Sequence, residues 1–146
     1  MKRAYIREIR AVYRDSEIKA GKQIHGPEDA FDIFSKLAND SAYEELWVAY
    51  FNAKNKLICI FMAGRGSITS AAASPRTILT QALLCNAAGI VIYHNHPSGS
   101  VEPSTEDIGF CNTVKTSCKL FDIHLLDCLI GSPDGSKFSF AEHNLI

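Results

Sequence analysis

GIVIYHNHPSGSVEPSTED, residues 89–107, runs from an apolar segment through two histidines and a Pro/Gly loop to a helix start. IVIY reads as a short buried strand, because a continuous apolar run of that length suits a strand covered on both faces. His94 and His96 stand two apart where the strand ends, and the period of two points both side chains to one face. Two imidazoles can therefore converge on one ion. Pro97 and Gly99 stop the strand and turn the chain. Ser104, preceded by Pro103, takes the N-cap position of the next helix and leaves Asp107 in its first turn. Two neutral imidazoles and one carboxylate make three protein ligands, the number a catalytic zinc keeps so that a water takes the fourth position. The ligand types alone also suit iron or manganese.

The same residues have a plainer reading. Ser104 and Asp107 fit a capping box, with Asp107 reaching back to the backbone N–H of the cap. His94 and His96 fit the surface of a polar loop. Taken singly, each plainer reading is the stronger. An H-x-H pair leaving a buried strand, with a helix-start Asp a short loop away, favours the metal.

Outward from this stretch, helices and strands interleave. AYIREIRAVYR (4–14) alternates enough to be expected as a strand, and GPEDAFDIFSKLAND (26–40) opens with Gly-Pro and spaces Phe31, Phe34, Leu37 and Ala38 along one helix face. EELWVAYFN and KLICIFMAG flank AKN, a hairpin of two well-buried strands followed by a turn at GRGS. SPRTILTQALLCNAAG (74–89) predicts a helix with Pro75 at its start, Gly89 just past its end, and Ile78, Ala82, Leu83 and Ala87 along one side. STEDIGFCNTVKTSCKL is a further helix, FDIHLLDCLIG a strand, and SPDG a turn into SKFSF. The expected architecture is α/β: a mixed sheet with helices packed on its faces.

Length and charge bound the function. At 146 residues and 47% hydrophobic content, one domain spanning 1–146 is expected, with a sizeable core. Fifteen Lys and Arg against sixteen Asp and Glu leave a net charge of -1, and no stretch gathers the dense basic cluster that phosphate binding wants. MKRAYIREIRAVYRDSE lacks the apolar core of a signal peptide, and no segment approaches the roughly 18 apolar residues of a membrane span. A cytoplasmic address without a membrane partner is expected. Cysteines 59, 85, 111, 118 and 128 form no C-x-x-C pair and are expected as reduced, packed thiols, with Cys111 and Cys118 on one helix face.

Hydrolysis needs a base beside the metal, and YEELWVAYF offers Glu44 and Glu45 at the mouth of an apolar strand. One faces inward and the other outward; alternation alone does not choose. His25 and His143 read as loop and tail residues, His124 as a strand histidine without a partner, and Arg76 as an exposed first-turn arginine.

HNHPSG followed by PSTED resembles the signature of the RadC family of JAB-domain (JAMM, MPN-plus) proteins, whose pattern is an upstream Glu, then H-x-H-P, then Ser and Asp. NAKNKLI, SPRTILTQALLCNAAGIVI and LLDCLIG extend the likeness from about Glu44 through Gly131. The resemblance implies a cytidine-deaminase-like α/β/α sandwich and a zinc-dependent hydrolase of a peptide or isopeptide bond. By the same likeness His94, His96 and Asp107 are zinc ligands, and Ser104 helps position the water or the developing oxyanion. Glu44 is the catalytic acid/base by its offset from FNAKNKL.

This sequence departs from the family pattern in places. Asp127-Cys128 stands where the family has Asp-His, and the chain resembles a short form without the helix-hairpin-helix segment that longer members carry. Some relatives are linked by name to DNA repair, so the alternative is a nucleic-acid-binding or nuclease-like module. HNH nucleases, however, disperse their three residues over a finger. A non-catalytic scaffold would have lost a ligand or the base, whereas all five positions are filled. A zinc nucleoside deaminase needs H-x-E and P-C-x-x-C, which are absent. A peptide or protein substrate is the expected partner; the oligomeric state is open.

Overall fold

A computed structural model describes residues 8–15, 23–38, 40–66 and 74–146. Helix α1 (Pro27–Ala38) starts on proline and carries Glu28 and Asp29 in its first turn. Asp29 accepts the His25 N–H at 2.8 Å, which fixes the entry to the helix. Strands β1 (Glu45–Phe51) and β2 (Leu57–Arg65) form the expected antiparallel hairpin. Its turn is held by Asn52, whose side chain accepts from the N–H groups of Lys54 and Lys56. Then follow α2 (Pro75–Leu84), β3 (Gly89–Asn95), α3 (Thr105–Lys119), β4 (His124–Gly131) and β5 (Lys137–Ser139).

The five strands make one mixed sheet in the order β2-β1-β3-β4-β5. Only β3 and β4 run parallel, because α3 carries the chain back between them; the other pairs are antiparallel. Alternation splits the core into two layers. Ala49, Phe51, Val91, Tyr93 and Leu129 pack against Phe31 and Phe34 of α1, with the Phe34 and Tyr93 rings stacked 4.9 Å apart. Leu46, Val48, Tyr50, Ile90, Ile92, Cys128 and Ile130 point to the opposite face, where Ile78 and Ala82 of α2 and Cys111, Val114 and Cys118 of α3 cover them. The α/β architecture read from the sequence is the one observed, and Cys111 and Cys118 do share a buried helix face.

Two expectations need correction. Residues 8–14 form neither strand nor helix and are exposed, while 4–7 lie outside the described residues. Alternating side chains favour a strand only where a ladder partner exists, and residues 8–14 have none among the described residues. Helix α2 also stops five residues before Gly89. Asn86 takes φ 54°, and Ala87 and Asn86 donate to the carbonyls of Ala82 and Leu83, at 2.9 and 3.3 Å. This is a Schellman closure with asparagine in the left-handed position that glycine usually fills. Leu83, expected along the packed side, is 52% exposed. Gly89 begins β3 instead, where a Cβ would come within 2.9 Å of the Leu126 side chain.

Candidate metal centre

Strand β3 delivers both histidines. Its ladder with β1 ends at His94, opposite Leu46, and its pairing with β4 continues one step further as the His96 N–H donates to the Gly131 carbonyl at 2.8 Å. Even positions of β3 face α2 and α3, so His94 lies in line with Ile90 and Ile92 and is 1% exposed. His96, two residues on, brings its ring to 4.8 Å from that of His94. The His96 Nδ1 lies 2.6 Å from the Ser100 carbonyl, an acceptor only, which places a ring proton on Nδ1 and turns Nε2 inward toward Asp107.

The α3 N-terminus closes the site from above. Asp107 accepts the Ser104 N–H at 2.8 Å through Oδ2, and Ser104 Oγ accepts the Asp107 N–H at 3.0 Å. The capping box is therefore real. It also aims the carboxylate: Asp107 Oδ1 lies 3.3 Å from His94 Nε2, and Oδ2 lies 3.6 Å from His96 Nε2. Burial would raise the Asp107 carboxyl, but the two imidazoles and the Ser104 N–H hold it well below the usual carboxylate range. The carboxylate beside it in turn raises His96, against the opposing pull of burial.

His94 is the odd member. Neither of its buried ring nitrogens has a hydrogen-bond partner, and Nε2 meets Asp107 Oδ1 only as an ion-pair contact at 3.3 Å. Leaving a buried polar group unsatisfied costs about 1–3 kcal/mol, and native structures seldom tolerate it without a reason. A cation held between these side chains would supply that reason. Glu44, His94, His96 and Asp107 each offer one ligand atom, all within 4.8 Å of one another. The imidazoles and carboxylates fit a zinc-type donor set.

The adjacent glutamates part company. Even positions of β1 share the face of His94, and Glu44 joins the cluster from that side. Glu45 turns to the other face, where its carboxylate accepts from Ser41 Oγ at 3.0 Å, Trp47 Nε1 at 2.9 Å and Arg65 Nη2 at 3.0 Å. Burial would raise the Glu45 carboxyl; the bonds from Trp47, Ser41 and Arg65 outweigh it and hold the group low.

The model of the RadC-like JAB domain family matches residues 24–145. This chain belongs to that family. Similar curated proteins are each named UPF0758 protein. The one from Janthinobacterium sp. (strain Marseille) is 35% identical over 87% of this chain and 56% of its own length. The one from Aquifex aeolicus (strain VF5) is 37% identical over 88% of this chain and 56% of its own. The one from Porphyromonas gingivalis (strain ATCC BAA-308 / W83) is 36% identical over 80% and 52%. The chain spans about half the length of these relatives.

The remaining polar residues of this RadC-like JAB domain sort by their partners. His124 and Arg76 are exposed, and His143 stacks on Phe138 at 4.0 Å with Nδ1 on the Ser139 carbonyl. Cys128, in place of the family histidine, is fully buried beside the Cys111 thiol, and burial pushes its own thiol well up. No helix among the described residues is long and apolar enough to cross a membrane. One residue escaped sequence reasoning. Asn95, between the two histidines, is fully buried, and its side chain bonds to the start of β1. An amide at the end of an otherwise apolar buried strand was the available signal.

Proposed function

We propose that this chain is a zinc-dependent hydrolase that cleaves a peptide or isopeptide bond. The observation that carries the reading is His94, buried with no hydrogen bond to either ring nitrogen inside a four-residue donor set. His94, His96 and Asp107 would hold the ion, which leaves a position for water. Bound zinc supplies a Lewis acid that lowers the pKa of a water from 15.7 to about 7 and polarises a carbonyl.

The side chains supply the rest. Ser100 fixes the His96 ring through Nδ1, so Nε2 is presented with its lone pair inward. Asp107 is immobilised by the capping box rather than by solvent-facing contacts. The Glu44 carboxylate takes the proton of the attacking water and passes it to the leaving amine. Ser104 Oγ accepts from the Asp107 N–H, so its own proton remains to donate to the oxyanion that develops on the substrate. The net charge of -1 gives a nucleic-acid substrate no comparable support.

Metal content by mass spectrometry tests the reading. Near-stoichiometric zinc is expected in the wild type and is lost in His96→Ala and Asp107→Asn, each shown folded by circular dichroism. A wild type that takes up no zinc when resupplied overturns the proposal. Zinc with no turnover of peptide- or isopeptide-linked substrates would leave the metal centre and remove the hydrolase.

A further inference from the structure

We infer that Asn95, the middle residue of HNH, is a positioning residue for Glu44. Its side-chain amide replaces the next rung of the β1–β3 ladder and ties the backbone on both sides of the base. The inference rests on the reading of Glu44 as the base of a metal centre.

The last backbone pair between β1 and β3 is Leu46 with His94. Continuing that register sets Glu45 opposite Asn95 and Glu44 opposite His96. No backbone pair between β1 and β3 follows among the described residues; the His96 N–H faces β4, where it donates to Gly131, and Pro97 has no N–H to give. Asn95 reaches across instead. Its Oδ1 accepts the Glu45 N–H at 2.7 Å, and its Nδ2 donates to the Tyr43 carbonyl at 2.9 Å. From the β2 side, the Gly66 N–H donates to the Glu44 carbonyl at 2.6 Å. Glu44 is thus fixed through its own carbonyl and through both neighbours. Among the described residues no hydrogen bond holds the Glu44 carboxylate itself, so its place is set by this backbone clamp.

The chemistry selects an amide. One fork must accept and the other donate; aspartate lacks the donor, and alanine lacks both. The reverse amide orientation would oppose two N–H groups, so the network permits one assignment. Alternation does the rest. The side chain of Asn95 leaves the strand on the face opposite the two imidazoles, so three consecutive residues fix the ion's ligands and the base in one frame. A displacement of about 1 Å at such a group costs on the order of 100-fold in rate, which is why the clamp matters.

The test loads the full chain with Co2+ and follows the Glu44 carboxyl carbon by NMR, assigned by its loss in Glu44→Gln. In the wild type that carbon carries a large paramagnetic shift. In Asn95→Ala and Asn95→Asp the shift should fall or broaden, while amide shifts along α3 and Co2+ affinity stay within about tenfold of wild type, since no ligand is touched. An unchanged Glu44 shift in either folded variant overturns the inference and leaves the metal centre standing. If neither variant folds, Asn95 serves the fold and the inference falls. A wild type that binds no Co2+ removes the metal centre and this inference with it. In turnover, Asn95→Ala should lower kcat without raising KM, and Glu44→Gln/Asn95→Ala should be no slower than Glu44→Gln. Additive losses would mark a purely structural residue.

Discussion

Asp107 and Asp127 are both buried carboxylates, 2% and 5% exposed, attached to the same sheet through α3 and β4. Their surroundings differ in one respect. Asp127 is enclosed by donors: the Cys128 N–H at 2.7 Å, Ser139 Oγ at 2.5 Å and the Ala141 N–H at 3.0 Å. Those bonds use up the carboxylate within the protein, and burial, which they only partly offset, raises its pKa. Asp107 is also held by the protein, but one side of it faces two imidazoles, one of them with no hydrogen-bond partner. A buried acid whose neighbourhood is complete holds the fold together. A buried acid beside leftover lone pairs marks a site for something the chain does not itself contain.

The largest test of that contrast is at the base. Glu44→Gln should lower turnover by roughly 100- to 10,000-fold while zinc content stays at the wild-type level, because in the proposed mechanism the residue moves a proton and His94, His96 and Asp107 hold the ion. Steady-state rates beside metal analysis check this, and persisting turnover would place the base elsewhere. Next comes Asp127→Ala, which strands two buried donors and one partly buried and should cost about 1–3 kcal/mol in urea denaturation. Its zinc stoichiometry should be unchanged. If instead zinc is lost from a folded Asp127→Ala protein, the two carboxylates are not separate in function.

Glu45→Gln is the smaller companion to Glu44→Gln. Losing the partly exposed Arg65 pair should cost about 1 kcal/mol and leave the metal bound. The folded Glu45 carboxyl lies below its ordinary value of 4.5, so its stabilisation is present above that value and fades as pH falls through the folded one. The urea midpoints of wild type and Glu45→Gln should therefore converge on acidification from about pH 4.5. Asp127 has the opposite sign: its pKa is raised, so its contribution shrinks as pH rises from its unfolded value towards its folded one. At the bottom of the scale, His124→Ala on an exposed strand position should change stability by less than about 0.5 kcal/mol and leave zinc uptake as it was.

Local chemistry made much of the fold legible. Pro27 and Pro75 mark helix starts, Ser104 with Asp107 marks another, and the runs around AKN make a hairpin wherever they are placed. What misled was also local. Gly89 looked like the stop of α2, but Asn86 closes the helix first. Residues 8–14 alternate like a strand, yet alternation describes a surface that fits a sheet and does not supply the neighbouring strand.

By itself the sequence determined that His94 and His96 share a face and that Asp107 stands in the first turn after its cap, because both follow from the periods of single elements. It left Glu44 and Glu45 equivalent except by family likeness, and it gave no role to Asn95. Their placement was decided only when β1 met β3 in one register, with Leu46 across from His94. A strand's period says which residues lie together, but not which face of the sheet a helix will cover or what the next strand brings opposite. Here α3 covers the face of His94, Glu44 comes to that face and Glu45 to the other, and Asn95 spans the gap where the backbone ladder ends.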